Sequence, residues 1–187
     1  ISTSTITLDG KTIILETGKF GTQAAGTVTA RCGDTIVLAS VVTGAPKEGI
    51  DFFPLTIEYR EKHYAGGVIS SSRFVKRESK PSDNETLTAR LIDRSVRPLF
   101  PKDFYDEVQI IIHPLSIDHE NEPEVLGIIA SSAALAVSQI PFQGPAAAVR
   151  IGQDKDGQFI ANPTTTQKAT SPLDLVISGS TNGIAMV

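Results

Sequence analysis

The sequence contains few of the residues that build covalent frameworks or membrane spans. Among 187 residues Cys32 is the only cysteine, which excludes an internal disulfide framework. No uninterrupted apolar run reaches the roughly 18 residues of a membrane span, and no basic and then apolar leader opens the chain. These absences, with 40% hydrophobic and 20% charged residues, predict a soluble protein in a reducing, cytoplasmic setting. Because the only methionine is Met186 and the chain stops inside an apolar run, we expect a piece of a longer protein.

Common catalytic and metal-binding motifs are missing as well. The sequence has no Gly-x-Ser-x-Gly pattern and no phosphate-binding P-loop. His63, His113 and His119 lack the spacing of zinc ligands. We therefore expect structural roles for the histidines and no metal site.

Positive charge is concentrated in one stretch. Residues 60–102 have a net charge of +5, whereas the remainder of the chain has −9. The ten basic side chains of this stretch are Arg60, Lys62, Arg73, Lys76, Arg77, Lys80, Arg90, Arg94, Arg97 and Lys102. A basic patch on an acidic body favours a polyanionic partner. A solvated surface without a partner would show the same distribution, so charge alone leaves both interpretations open.

Turn residues divide the chain into short strands and two helices. Strand patterns occupy residues 5–8, 12–16, 27–31, 35–42, 54–59, 108–112, 146–151, 158–161, 173–178 and 184 onward. Helical patterns occupy residues 85–97, after the capping-box sequence Ser82-Asp83-Asn84-Glu85, and residues 123–139. This order predicts an α+β domain over residues 1–187, with a mixed β-sheet packed by helices on one face.

The first helix carries the strongest functional signal. At 100° per residue, Arg90, Arg94 and Arg97 fall within an arc of about 60°. The opposite side is predicted to hold Leu87, Leu91, Ile92 and Val96. Asp93 can pair with Arg97 but cannot neutralise three guanidinium groups. Because the guanidinium fork matches phosphate oxygens, the pattern favours a phosphodiester backbone, although acids of a neighbouring domain or subunit would serve too.

A second basic motif precedes this helix, within residues 60–84, which lack regular periodicity. Arg73-Phe74-Val75-Lys76-Arg77 places one aromatic ring between cations. Single-stranded nucleic acid is commonly held in this way, by stacking of a base on the ring and contact of the cations with phosphates. The alternative is a buried Phe74 that anchors an ordinary basic loop. The predicted RNA-binding residues are therefore Phe74, Lys76, Arg77, Arg90, Arg94 and Arg97.

Five segments resemble, in order, the signature of a known family. They are residues 51–56, 64–67, 81–87, 89–94 and 97–101. On these segments nearly the whole chain is similar to the N-terminal RNase PH-like domain of the bacterial polynucleotide phosphorylase family. The resemblance implies a first RNase PH-like core of the ribosomal protein S5 domain 2-like fold, truncated at its C-terminal end.

The same resemblance implies an activity and an assembly. The implied enzyme is a polyribonucleotide nucleotidyltransferase that degrades single-stranded RNA from its 3′ end with inorganic phosphate and releases nucleoside diphosphates. It is a cytoplasmic homotrimer with no membrane association, and it works with RNA-degradation machinery. Each subunit holds two such cores, a helical domain and C-terminal RNA-binding domains.

Two departures from the family pattern concern the site. The family's loop Phe-Phe-Arg/Lys-Arg matches Phe74, Lys76 and Arg77, but Val75 stands where a second ring is usual. In the family, serines at a helix start bind phosphate and acids hold Mg²⁺, both in the second core. The equivalent positions here are residues 122–124 and 171–174, which carry Glu122, Glu124 and Pro172. Glutamates at a helix start repel phosphate and proline coordinates nothing. The resemblance thus implies no catalytic residue in this chain, Mg²⁺ only in the second core, and no activity of this fragment alone.

Two other interpretations stay open. One is a structural, RNA-guiding ring subunit of an exosome-like complex, with catalysis supplied by a partner chain. The other is a free-standing RNase PH homologue that trims tRNA, against which Glu122 and Glu124 argue.

Overall fold

A six-stranded mixed sheet forms the larger part of the fold. The computed structural model describes residues 1–46, 49–68 and 80–187. The strands are β1 (Ser2–Leu8), β2 (Lys11–Thr17), β3 (Gly26–Cys32), β4 (Thr35–Gly44), β5 (Leu55–Tyr59) and β6 (Glu107–Ser116). They lie in the order β1-β2-β3-β4-β6-β5, and β5 is parallel to β6 whereas all other neighbours are antiparallel. The mixed sheet that the sequence predicts is therefore confirmed.

Alternation along the central strands places one sheet face in the core. In β4, Val37, Ala39 and Val41 are fully buried, while the residues between them are only partly buried or exposed. In β6, Ile110 and Ile112 are buried in the same manner. Because successive side chains of a strand point to opposite faces, this pattern fixes which face receives the helices.

Two longer helices cover that face. They are α1 (Asp83–Val96) and α2 (Pro123–Ala136). Gly127 of α2 permits a close approach, because a Cβ at this position would lie 3.2 Å from Cδ1 of Ile92 in α1. Short 3₁₀ turns are found at His63–Gly66 and Arg97–Leu99. Within the ranges given above, no helix is long and apolar enough to cross a membrane.

A second sheet packs on the other side of α2. Its strands are β7 (Ala147–Gln153), β8 (Phe159–Ala161), β9 (Asp174–Ser180) and β10 (Gly183–Met186), in the order β10-β9-β7-β8 and all antiparallel. Ala148 and Val176 from this sheet pack against the main core. Helix α2 is thus enclosed by both sheets, which explains why it is apolar almost all round.

Two features of the fold differ from the sequence prediction. The later strands form their own sheet rather than extending the mixed one. A six-residue helix, α3 (Thr165–Thr170), lies between β8 and β9, where only loop is expected from the sequence. Cys32 is buried in the core, as expected.

Candidate nucleic-acid interface and the Arg150 cluster

The start of α1 is held firmly. Ser82 and Glu85 form the predicted capping box, in which the Ser82 hydroxyl accepts from the Glu85 amide and the Glu85 carboxylate accepts from the Ser82 amide. The other carboxylate oxygen accepts from the Glu61 amide at 2.8 Å. Burial would raise the pKa of Glu85, but these backbone hydrogen bonds outweigh it and lower the pKa below its ordinary value. The helix is therefore anchored to the segment that follows β5.

The predicted arginine face, Arg90, Arg94 and Arg97, divides into two unequal parts. Arg90 and Arg94 are exposed. Within the described ranges neither guanidinium has a hydrogen-bond or ion-pair partner. Two exposed cations four residues apart on one helix side, with no acid of the described residues against them, suit an external anion.

Arg97, in contrast, is engaged inside the chain. Its Nε and Nη2 donate to the two carboxylate oxygens of Asp93 at 2.9 and 2.7 Å, which confirms the predicted pair. Nη1 and Nη2 also donate to the carbonyls of Phe53 and Leu55, at 3.4 and 3.1 Å. The guanidinium carbon lies 5.9 Å from the centroid of the Phe53 ring. Arg97 thus joins the end of α1 to β5, and Asp93 neutralises most of its charge.

Leu87 corrects one expectation about this helix. Leu91, Ile92 and Val96 face the core as predicted, but Leu87 is 61% exposed. Leu87 precedes Arg90 by three residues and Arg94 by seven, so it lies on their side of the helix and not opposite them. Arg90 and Arg94 therefore share their side of the helix with an exposed apolar side chain.

The other predicted RNA-binding residues, Phe74, Lys76 and Arg77, lie outside the described residues. The undescribed residues 69–79 lie between Val68, which follows the first 3₁₀ turn, and Lys80, which comes just before α1. The arginine face therefore follows that segment directly along the chain.

A second group of cations lies at the start of α2, where carboxylates of the same chain bind them. Arg150 of β7 donates through Nε and Nη2 to both carboxylate oxygens of Asp174 in β9, at 2.5 and 2.8 Å. Its Nη1 donates to Glu122 and, at 2.8 Å, to Glu124. Lys168 of α3 donates to Glu122 at 2.5 Å. We call these five residues the Arg150 cluster.

Burial and charge make this cluster self-contained. Only 11% of the Arg150 side chain is exposed, against 19% for Glu122 and 24% for Glu124. The hydrogen bond from Arg150 lowers the pKa of Asp174, and the reciprocal bonds raise that of Arg150 despite its desolvation. Two cations face three carboxylates, so the cluster has no positive charge left for an external phosphate.

The cluster includes the two glutamates that the sequence analysis places at the start of α2. The sequence predicts Glu122 and Glu124 at the start of α2, and the structure confirms that position, with Pro123 as the first helical residue. Sequence reasoning missed Arg150 and Lys168, which hold these acids in place. A lone arginine inside an apolar strand pattern, Ala147–Gln153, was the available signal, since a buried arginine requires carboxylate partners.

The same carboxylates do not fit a magnesium site. Mg²⁺ requires carboxylate oxygens that are free to coordinate it. Here both carboxylate oxygens of Asp174 and of Glu122, and one oxygen of Glu124, accept from Arg150 or Lys168. In the described part of the chain, no group of three or more His, Cys, Asp or Glu side chains is placed to hold a metal.

Sequence comparison identifies the family of the chain. Residues 9–141 match the 3′ exoribonuclease family, domain 1. The chain is 54% identical over 179 residues to the polyribonucleotide nucleotidyltransferase of Citrifermentans bemidjiense, covering 95% of this chain and 25% of that protein. It is 55% identical over 179 residues to the enzyme of the same name from Acidiphilium cryptum, with the same coverage. The chain thus spans about a quarter of the length of these curated relatives.

Solved structures support the fold. Rice Rrp46 superposes with a TM-score of 0.74 at 16% identity, over 93% of this chain and 78% of that one. A chain of the Archaeoglobus fulgidus exosome with RNA bound to the active site gives 0.69 at 16% identity, over 92% and 74%. The α+β, RNase PH-like architecture implied by the sequence is confirmed. By its match over residues 9–141 and by its fold, the chain belongs to the 3′ exoribonuclease family, as an RNase PH domain similar to the corresponding quarter of polyribonucleotide nucleotidyltransferases.

Proposed function

We propose that this chain is the first, non-catalytic RNase PH-like core of a 3′-to-5′ phosphorolytic exoribonuclease, a polyribonucleotide nucleotidyltransferase, and that it holds single-stranded RNA on α1. One observation carries the proposal. Arg90 and Arg94 are exposed on the anchored helix without a carboxylate partner among the described residues, while the buried Arg150 is enclosed by three. The cations left open are those suited to a phosphodiester backbone.

The contacts we assign to RNA are mostly with its backbone. The guanidinium groups of Arg90 and Arg94 each pair with a phosphate, and the capping box and Arg97 keep their helix in position. Phe74, Lys76 and Arg77 join this set on the strength of their sequence pattern, with the ring stacking on a base. Backbone contacts of this kind hold RNA without reading its sequence.

The Arg150 cluster supports the proposal that this core is not catalytic. Glu122 and Glu124 occupy the start of α2, and Arg150 and Lys168 are engaged by these acids and Asp174, so the described residues leave no unpaired cation for phosphate and only one carboxylate oxygen without a cationic donor there. We place phosphate, nucleoside diphosphates and Mg²⁺ at a second core outside this chain. The whole protein is proposed to be a cytoplasmic homotrimer that acts with RNA-degradation machinery.

The RNA contact is tested by the double variant Arg90→Ala/Arg94→Ala. Each phosphate contact with a single strand contributes about 0.7 to the slope of log K against log salt concentration. Losing two contacts should weaken binding of a single-stranded RNA and reduce that slope by about 1.4. The measurement is filter binding or fluorescence anisotropy at several salt concentrations.

A matched control removes two exposed cations from outside residues 60–102. Arg31→Ala/Lys155→Ala lowers the net charge by the same amount and should leave the slope close to that of the wild type. Equal slopes for the wild type and the Arg90/Arg94 variant would refute the arginine face as an RNA contact. An equal decrease in both double variants would show attraction by net charge alone.

The non-catalytic assignment has a separate test. The purified chain, given poly(A), inorganic phosphate and Mg²⁺, should release no nucleoside diphosphate, while a complete polyribonucleotide nucleotidyltransferase assayed beside it does. Release of diphosphate in proportion to the amount of chain, from a preparation free of other nucleases, would contradict the assignment of catalysis to a second core.

A second candidate is a structural, RNA-guiding ring subunit with catalysis on a partner chain. It is favoured by the extent of the structural match, which covers 74% of the archaeal exosome chain. The length of the intact reading frame separates the two candidates. A frame about four times as long as this chain supports the first, and a short frame beside a partner gene supports the second.

A further inference from the structure

The four outer edges of the two sheets are not equally protected. An edge strand presents unpaired backbone amides and carbonyls, and natural proteins shield such edges by shortness, bulges, charges or covering groups. Strand β8 has three residues, and β10 has four with a register irregularity between Ile184 and Met186. At β5, Arg97 covers the Phe53 and Leu55 carbonyls. Three edges are therefore protected by recognisable means.

The fourth edge, β1, has none of these protections among the residues that the structure describes. It is seven residues long, and every one of them is exposed. The sequence of Ser2–Leu8 contains no charged residue and no proline, and its register with β2 runs without a bulge from the turn to Ser2. Within the described part of the chain it pairs only with β2. A long, regular, uncharged edge rich in β-branched residues is a template for another strand.

The turn between β1 and β2 shows which backbone groups face outward. Asp9 and Gly10 have φ of 49° and 75°, as in the two-residue hairpin turn that requires positive φ at both positions. In such a hairpin the closing pair, Leu8 and Lys11, is hydrogen-bonded, and bonded pairs then alternate along the ladder. The amides and carbonyls of Thr3, Thr5 and Thr7 therefore point away from β2.

We propose that β1 pairs with β1 of a second copy of this chain, antiparallel about a twofold axis at Thr5. This register places Thr5 opposite Thr5 and Thr3 opposite Thr7, so outward-facing groups meet outward-facing groups at every bonded position. Threonine pairs are favourable across strands, and an uncharged strand meets no repulsion from its own copy. The two six-stranded sheets then continue into one. The proposal does not depend on RNA binding.

The variant Thr5→Pro tests the contact. Proline removes an outward amide but not a hydrogen bond to β2, and proline is tolerated on edge strands. The mass in solution, measured by light scattering or sedimentation over a concentration series, should be twice as large for the wild type as for this variant. A ratio of two is expected whether pairing makes a dimer from monomers or six copies from a threefold ring, so failure of the proposed ring does not affect this test. Equal masses up to about 1 mM would overturn the proposal.

Two charged variants test the register without proline. Thr5→Lys and Thr5→Glu each place like charges opposite one another at the axis, which should weaken pairing about fivefold. Mixing the two should restore pairing as a one-to-one complex, whereas Thr5→Val, which keeps the shape and the amide, should pair like the wild type. Pairing of the lysine variant at wild-type strength, or a mixture no stronger than either component, would show that Thr5 does not face Thr5. Circular dichroism verifies that each variant is folded.

Discussion

The buried Arg150 and the exposed pair Arg90 and Arg94 differ in how far acids of the same chain neutralise their charge. In the Arg150 cluster, three carboxylates and one lysine surround the Arg150 guanidinium. Only 11% of the Arg150 side chain is exposed. On α1, Arg90 and Arg94 stand in solvent, with no acid of the described residues against them. We therefore expect binding of an external anion to depend on which cations lack an acid partner among the described residues and not on the total number of cations.

The difference also separates stability from binding. Breaking a buried ion pair by removing one partner lowers the free energy of unfolding by several kcal/mol. The reason is that the remaining charge stays uncompensated in a poorly solvated place. An exposed guanidinium costs little when it is removed, since water solvates the surroundings. The Arg150 cluster should respond to mutation through folding, and the open pair on α1 through RNA.

The largest expected effect is that of Arg150→Met. Three carboxylates would share the start of α2 with only Lys168, and the free energy of unfolding should fall by about 3–5 kcal/mol. Urea denaturation followed by circular dichroism measures this loss. Where the variant is folded, the salt slope of its RNA binding should equal that of the wild type.

Lys168→Met is the matched control for this prediction. Its side chain is 30% exposed and it contacts two of the same acids, so its loss should cost about 1 kcal/mol. If Arg150→Met were no more destabilising than Lys168→Met, the ion pairs of Arg150 would not contribute to folding stability as proposed. A decreased salt slope for folded Arg150→Met would place Arg150 among the RNA contacts. The distinction between an internally paired Arg150 and the exposed arginines of α1 would then be wrong.

Local patterns made much of α1 predictable. The capping box at Ser82, the Asp93–Arg97 pair and the shared side of the arginines depend on spacings of three and four residues, which the sequence displays directly. The misplacement of Leu87 was an error of geometry, because a residue seven positions before Arg94 lies almost on the same helix side. The short helix α3 also had a visible signal, the capping box of Thr164 and Gln167.

Non-local contacts made the Arg150 cluster unpredictable from patterns. Its members come from α2, β7, α3 and β9, so their meeting requires the second sheet to be in place. Each late strand is recognisable in the sequence, but the division of strands into two sheets is decided by packing around α2. The acids were identified from the resemblance, while the arginine that binds them was found only in the structure.

The smallest effect concerns Arg97, which lies between the two groups. Its side chain is 42% exposed, yet its fork binds Asp93 and two carbonyls of the segment leading into β5. Arg97→Ala should lower the free energy of unfolding by about 1 kcal/mol and leave the RNA salt slope unchanged, while Arg94→Ala should lower the slope by about 0.7 with little loss of stability. Arg97→Lys keeps the charge but not the fork, and should recover only part of the stability. If instead Arg97→Ala reduced the slope as much as Arg94→Ala does, an internally paired arginine would still bind phosphate, and pairing within the chain would not decide which cations hold RNA.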